Sequence, residues 1–268
     1  MTSLSYARCA DEIAAQGRSL GAAVADADMS TRVPSCPEWD LAQLLRHVGR
    51  VQRWAEEIVR TRRTEPVPED FFPRLAEEEK QREDAGALGP WVAEGAERLA
   101  ETLRATDPAT PLFSPGPPGS AGFYARRFAH ETLIHRADAV PALGGEFAPE
   151  REVALDALDE WFELGSLPFH FEVHPQVREL LGPGNSVHLH ATDTDPEARA
   201  EWVADLTGEA LTWRRSHEKA RVAVRGPLTE LLLLVYRRRA ADTPGRPPTK
   251  VLGDAEFLDF WLERVAFN

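Results

Sequence analysis

Cysteine is almost missing from this chain, which has only Cys9 and Cys36. Two thiols build neither a multi-disulfide framework nor a four-cysteine zinc ribbon, so a reducing compartment, the cytoplasm, is expected. Lysine is limited to Lys80, Lys219 and Lys250, and nearly all positive charge is arginine. Cations are also outnumbered: 31 Lys and Arg against 44 Asp and Glu leave a net charge of −13. Such a surface repels phosphate backbones and anionic bilayers, so neither nucleic acid nor membrane is an expected partner. Arg-rich spots such as Arg237-Arg238-Arg239 are local and read as a helix C-terminal end, where cations are favoured. Long hydrophobic runs are absent too. The longest aliphatic stretch, Leu231 to Val235, is far too short to span a bilayer, and no signal-peptide core opens the sequence.

What is present is helical periodicity over the first two-thirds. Helices are expected over Tyr6–Ala25, Asp40–Arg60 and Pro90–Ala105, from Gly122 onward, and from Pro149 to about Leu164. Pro90 suits a first turn, and Asp40 with Gln43 has capping-box spacing. The strip 111–120, dense in Pro and Gly, reads as a rigid loop. An irregular linker is placed from Ser166, ending at Gly182-Pro-Gly-Asn185. Beyond it the period changes to two: Val187, Leu189 and Ala191 alternate with His188 and His190. Short strands are expected at 201–206, 209–214, 220–225 and 249–252, with helices at 228–239 and 254–266. The domains expected are therefore 1–170, a helical bundle, and 183–268, α+β. A monomer is the default.

One helical stripe is chemically out of place. Tyr124, Phe128, Glu131, His135 and Asp138 are spaced four, three, four and three, on one helix face. Core residues are expected there, yet its middle holds a carboxylate and an imidazole one turn apart. An inward ion needs a partner or a metal to offset its desolvation. A solvated i,i+4 contact is the plainer alternative, but Tyr124 and Phe128 share the stripe and argue that it faces inward. His47, at the edge of the apolar arc of Leu41, Leu44, Leu45, Val48, Val51, Ala55, Ile58 and Val59, is positioned to complete the set. Two imidazoles and one carboxylate leave coordination positions open, the pattern of a catalytic metal site.

Other candidates weigh less. His130-Glu-Thr-Leu-Ile-His135 is not the zincin motif, since histidines five apart diverge by about 140° around a helix. His188 and His190 form a pair with no third ligand nearby in sequence, so they are expected to face solvent. Asp138 reads equally as a support for a ligand ring or as a partner of Arg127 or Arg136. Cys36, before a helix start, could be a nucleophile, but Pro34 and Pro37 mark it as a turn residue. Trp39 is expected to anchor that helix start.

The runs Val33-Pro-Ser-Cys-Pro-Glu-Trp-Asp-Leu41, Leu44-Leu-Arg-His47 with Trp54, and Arg127-Phe-Ala-His-Glu-Thr-Leu-Ile-His-Arg-Ala-Asp138 resemble the mycothiol-dependent maleylpyruvate isomerase family. So do Ala191-Thr-Asp193, Val224-Arg-Gly-Pro227, Leu231 to Arg237 and Val251-Leu-Gly-Asp254. The resemblance implies a DinB-like four-helix bundle followed by a small α+β sterol-carrier-like domain. It also implies a divalent metal, usually zinc, on His47, Glu131 and His135, with Arg237 from the second domain as the catalytic arginine that helps hold substrate. Tyr236 and Ala137 depart from the family's pattern and would alter pocket shape. The implied partners are a small electrophile and a low-molecular-weight thiol, mycothiol. A thiol at such an ion loses its proton. Addition and expulsion of the thiol would isomerise a double bond, whereas retention would give an S-conjugate. Competing readings are a metallohydrolase, a metal- or ligand-binding regulator without turnover, and an iron enzyme on the same ligands.

Overall fold

The structure, a computed structural model, describes residues 3–80, 85–241, 243 and 249–265. It divides into two compact units, Leu4–Phe147 and Ala148–Asn268.

The first unit is helical. Its elements are α1 (Tyr6–Ala23), β1 (Arg32–Val33), β2 (Cys36–Asp40), α2 (Leu41–Thr61), α3 (Phe71–Lys80), α4 (Leu88–Arg104), β3 (Pro111–Leu112), β4 (Gly119–Ser120) and α5 (Ala121–Ala142). Four long helices form a closed ring: α1 packs on α4 and α5, and α2 packs on the same two. The expected arc on α2 is buried through Leu41, Leu44, Leu45, Val48, Ala55, Ile58 and Val59. At about 25 cal/mol per Å² of apolar area, burial of this kind is the main term that holds the ring together. Gly49, on the far side of α2 from His47, is where Trp91 of α4 lies flush against the backbone. Arg53, one turn on, lies 4.2 Å from the same indole centroid and donates to the Trp91 carbonyl at 3.0 Å. Two short hairpins, β1–β2 and β3–β4, precede α2 and α5 and deliver the chain into them. The strip expected as a loop thus contains two paired strand ends.

The second unit holds α6 (Arg151–Gly165), α7 (Pro168–Val173), β5 (Ser186–Ala191), β6 (Glu201–Asp205), β7 (Thr212–Arg214), β8 (Val222–Gly226), α8 (Leu228–Val235), β9 (Lys250–Gly253) and α9 (Ala255–Arg264). The strand order is β7-β6-β5-β8-β9, antiparallel except for the parallel pair β5–β8. Val187 and Leu189 sit opposite Ala204 and Trp202 on one buried face. His188 and His190 therefore point to the other.

Three expectations change. Periodicity assigns α6 to the bundle, but its contacts assign it to the sheet unit, where Asp159 accepts from Trp202 Nε1 at 2.8 Å. The expected linker from Ser166 to Gly182 is mostly ordered: α7 and a 3-10 turn over Pro175–Leu180 bury His170, Phe171, Val177 and Leu180. His188 is not solvent-facing but 5% exposed. The expected end of the last helix, Ala266, lies outside the described residues.

Candidate metal centre

The helices that carry the candidate residues are fixed by their starts. Asp40 Oδ1 accepts from the Gln43 backbone N–H at 2.8 Å, and Gln43 Oε1 accepts from the Asp40 N–H at 2.9 Å. This reciprocal cap sets α2 two turns before His47. Ser120 caps α5, its hydroxyl accepting from Phe123 N–H at 3.1 Å. Tyr124 and Phe128 stack at 5.9 Å in the core, and the Tyr124 hydroxyl donates to the Phe113 carbonyl. The stripe thus faces inward, as its aromatic members required, and carries Glu131, His135 and Asp138 in with it.

His47, Glu131 and His135 converge, each offering one ligand atom, all within 4.8 Å of one another. Glu131 Oε1 is the common point, 3.1 Å from His135 Nε2 and 3.7 Å from His47 Nε2. The other oxygen, Oε2, accepts from Arg127 at 3.1 Å. Arg127 therefore takes one side of the carboxylate and leaves the other to the imidazoles. Behind His135, Asp138 is buried and its Oδ2 lies 2.9 Å from His135 Nδ1. Asp138 Oδ1 accepts from the Ser35 hydroxyl at 2.6 Å. Asp138 thus supports the ring of His135, a candidate ligand. It turns His135 Nε2 toward the common point, the role such carboxylates have behind metal-bound histidines. Trp39 lies 5.0 Å from the His47 ring and backs it.

The carboxylates and imidazoles perturb one another. Burial pushes Glu131 toward protonation, but hydrogen bonds from His135 and His47, and the Arg127 charge, outweigh it and hold the carboxyl well below its usual range. Burial would depress His135, yet its hydrogen bonds to Asp138 and Glu131 raise it to about 9. A proton on His135 here balances two carboxylates, and a bound divalent ion would take over that duty. The donor set of two imidazole nitrogens and one carboxylate oxygen fits zinc or iron.

His130 is buried and belongs to neither cluster of metal-competent side chains among the described residues. Cys36 is on β2 rather than next to the helix start, and is partly buried. Arg237 follows α8 in the second unit, exposed, with φ 56. Its N–H donates to the Leu234 carbonyl, and that of Arg238 to the Leu233 carbonyl, closing a Schellman turn. Arg239 is paired with Glu230. Sequence reasoning missed Ser35. Its only signal was its place in the Val33–Leu41 run.

Asp138→Asn tests the supporting role. The carboxylate-to-amide change should weaken metal binding at this centre by about 10–100-fold, the usual cost of losing such a partner. Competition against a chelator of known affinity measures it, and unchanged affinity would remove Asp138 from the account.

Residues 10–140 match the family model of the mycothiol maleylpyruvate isomerase N-terminal domain. The crystal structure of the mycothiol-dependent maleylpyruvate isomerase has a TM-score of 0.58 at 16% identity, over 93% of this chain and 96% of its own. That of a histidine-to-alanine mutant of the same enzyme has a TM-score of 0.59 at 15% identity over the same shares. No curated protein matches the chain. At such identities the likeness to solved structures establishes the fold, a helical bundle followed by a mixed-sheet unit.

Proposed function

Since the chain belongs to the mycothiol-dependent maleylpyruvate isomerase family, we propose that it is a metal-dependent enzyme that activates mycothiol against a small electrophile, isomerising a cis double bond. The observation that carries this reading is the meeting of His47, Glu131 and His135 around one carboxylate oxygen, with Asp138 and Ser35 orienting His135 from behind. A divalent ion held there, zinc or iron by its donor set, would favour thiolate over thiol and so supply the nucleophile at neutral pH.

The chain's own residues do the rest. Asp138 keeps the His135 ring from turning, and Arg127 offsets part of the Glu131 charge. Trp39 restricts His47. The thiolate forms a C–S bond to the alkene carbon conjugated to a carbonyl, and the π pair moves onto the carbonyl oxygen. The former double bond, now single, rotates. The electron pair then returns, the C–S bond breaks and thiolate is regenerated. Arg237, a fixed cation on a rigid turn, is the candidate for holding a substrate carboxylate. A reaction drawing on a cellular thiol pool places the enzyme in the cytoplasm.

The deciding assay gives metal-loaded enzyme maleylpyruvate and a tenth of an equivalent of mycothiol (roughly, well below substrate). Full conversion to the trans isomer with the thiol recovered is the expected result. Consumption of one thiol per product would replace isomerisation by S-conjugation, and turnover without thiol would overturn the proposal, hydrolytic cleavage of the substrate identifying a hydrolase. In the same assay Arg237→Gly should raise KM about tenfold or more. Its stability should hold or rise, because glycine relieves the left-handed backbone at a cost difference of about 1 kcal/mol.

A further inference from the structure

The second unit carries another convergence of ligands, unconnected with the thiol chemistry. His188 and His190 share one face of β5, two residues apart. The antiparallel register sets Glu201 of β6 directly opposite His190. His217, in the segment after β7, closes over both. One atom, Glu201 Oε2, is 2.9 Å from His188 Nε2, 3.0 Å from His190 Nδ1 and 2.6 Å from His217 Nδ1. The three ring centroids are 5.6, 5.9 and 6.0 Å apart, nearly an equilateral triangle.

Hydrogen bonding alone serves this arrangement poorly. A carboxylate offers about four lone-pair sites over two oxygens, hence about two on Oε2, yet three ring nitrogens converge on it. A cation among them would accept a lone pair from every nitrogen and from the oxygen at once. Three imidazoles and one carboxylate form a complete tetrahedral set for zinc and its neighbours.

The surroundings hold the ligands in place. His188 is almost fully buried, and Glu201 and His190 are partly so. The His217 segment is stapled on both sides. Arg214 Nε donates to Glu218 at 2.8 Å, and Arg215 makes two bonds to Asp159 of α6, at 2.9 and 2.7 Å. The Arg215 guanidinium also lies 4.6 Å from the Trp202 ring centroid. A cavity of about 310 Å³ borders two of the four, His190 and Glu201.

We propose that His188, His190, Glu201 and His217 form a second, independent site for a divalent transition metal in the sheet unit. His217, the most exposed ligand, closes the set.

The test uses the full chain with the first centre disabled by His47→Ala and Glu131→Gln. The protein is stripped with chelator, reloaded with zinc or cobalt(II) alone, and its metal is counted by elemental analysis. The expected result is about one equivalent per chain, with the visible spectrum of four-coordinate cobalt. Adding His217→Ala should weaken binding at least about tenfold, and adding His190→Ala with Glu201→Gln should abolish it. His217 is 77% exposed, so its replacement spares the fold, which circular dichroism verifies. A folded chain that takes up no metal at saturating zinc would overturn the proposal. So would one whose single ion is indifferent to both His217→Ala and His190→Ala. With the bundle ligands already removed, failure of the thiol-enzyme reading leaves this result unaffected.

Discussion

Glu131→Gln should give a folded protein that has lost the metal of its helical centre and nearly all thiol-dependent turnover. The amide keeps the size of the side chain but not its charge. Glu131 is the shared point of the centre: one oxygen faces His135 and His47, and the other accepts from Arg127. Losing an anionic ligand atom should cost the centre more than the roughly 10–100-fold in metal affinity that follows loss of a supporting partner. The effect should therefore exceed that of Asp138→Asn, since Glu131 supplies a ligand atom whereas Asp138 only aims one. The fold should survive, because Arg127 and Glu131 are both partly solvated. Elemental analysis should show a drop of about one equivalent relative to wild type, and the mycothiol assay should show the loss of rate. Full metal with full activity would refute the assignment of Glu131.

Gly49→Ala should destabilise the bundle even though alanine is the better helix former. A Cβ at this position would fall 2.2 Å from Trp91 Cζ3 and 2.4 Å from Cε3. Trp91 is fully buried, and Arg53 stacks on it. The ring has nowhere to go, so α2 and α4 must part. Overpacking of this kind costs about 1–3 kcal/mol, occasionally more, against a propensity gain of about 1 kcal/mol. The net loss should lower the melting temperature by roughly 2–4 °C per kcal/mol. Metal affinity should fall as well, because His47 rides on the same helix. A melting temperature equal to wild type would mean that the indole has room to shift.

The helical part of the molecule was legible because its signals are local. The Asp40–Gln43 cap and the apolar arc of α2 emerge as read, and the stripe on α5 places its aromatic and ligand side chains on one face. The edge of that arc offered His47 as the third member of the set, and the resemblance to a family named the same three residues. What was misread depended on partners distant in sequence, or on punctuation with two meanings. Pro168 and Pro175 look like breakers, but each opens a short helix, where a missing N–H costs nothing. The helix after Pro149 has an ordinary amphipathic pattern, and a pattern does not say which neighbour the face meets. His188 and His190 were visible as a pair, whereas Glu201 and His217 reach them through strand register and a stapled turn. Periodicity carries neither.

The ring of four helices is not evenly closed. Contact between α2 and α5 is much thinner than between α1 and α4, α1 and α5, or α2 and α4. His47 lies on one side of that thin seam, and Glu131 and His135 lie on the other. An ion shared across it would act as a clasp, tying two helices whose ligands are far apart along the chain. Removing it should therefore loosen the molecule unequally: amide exchange should quicken along α2 and α5 near the ligands, while the α1–α4 pair keeps its protection.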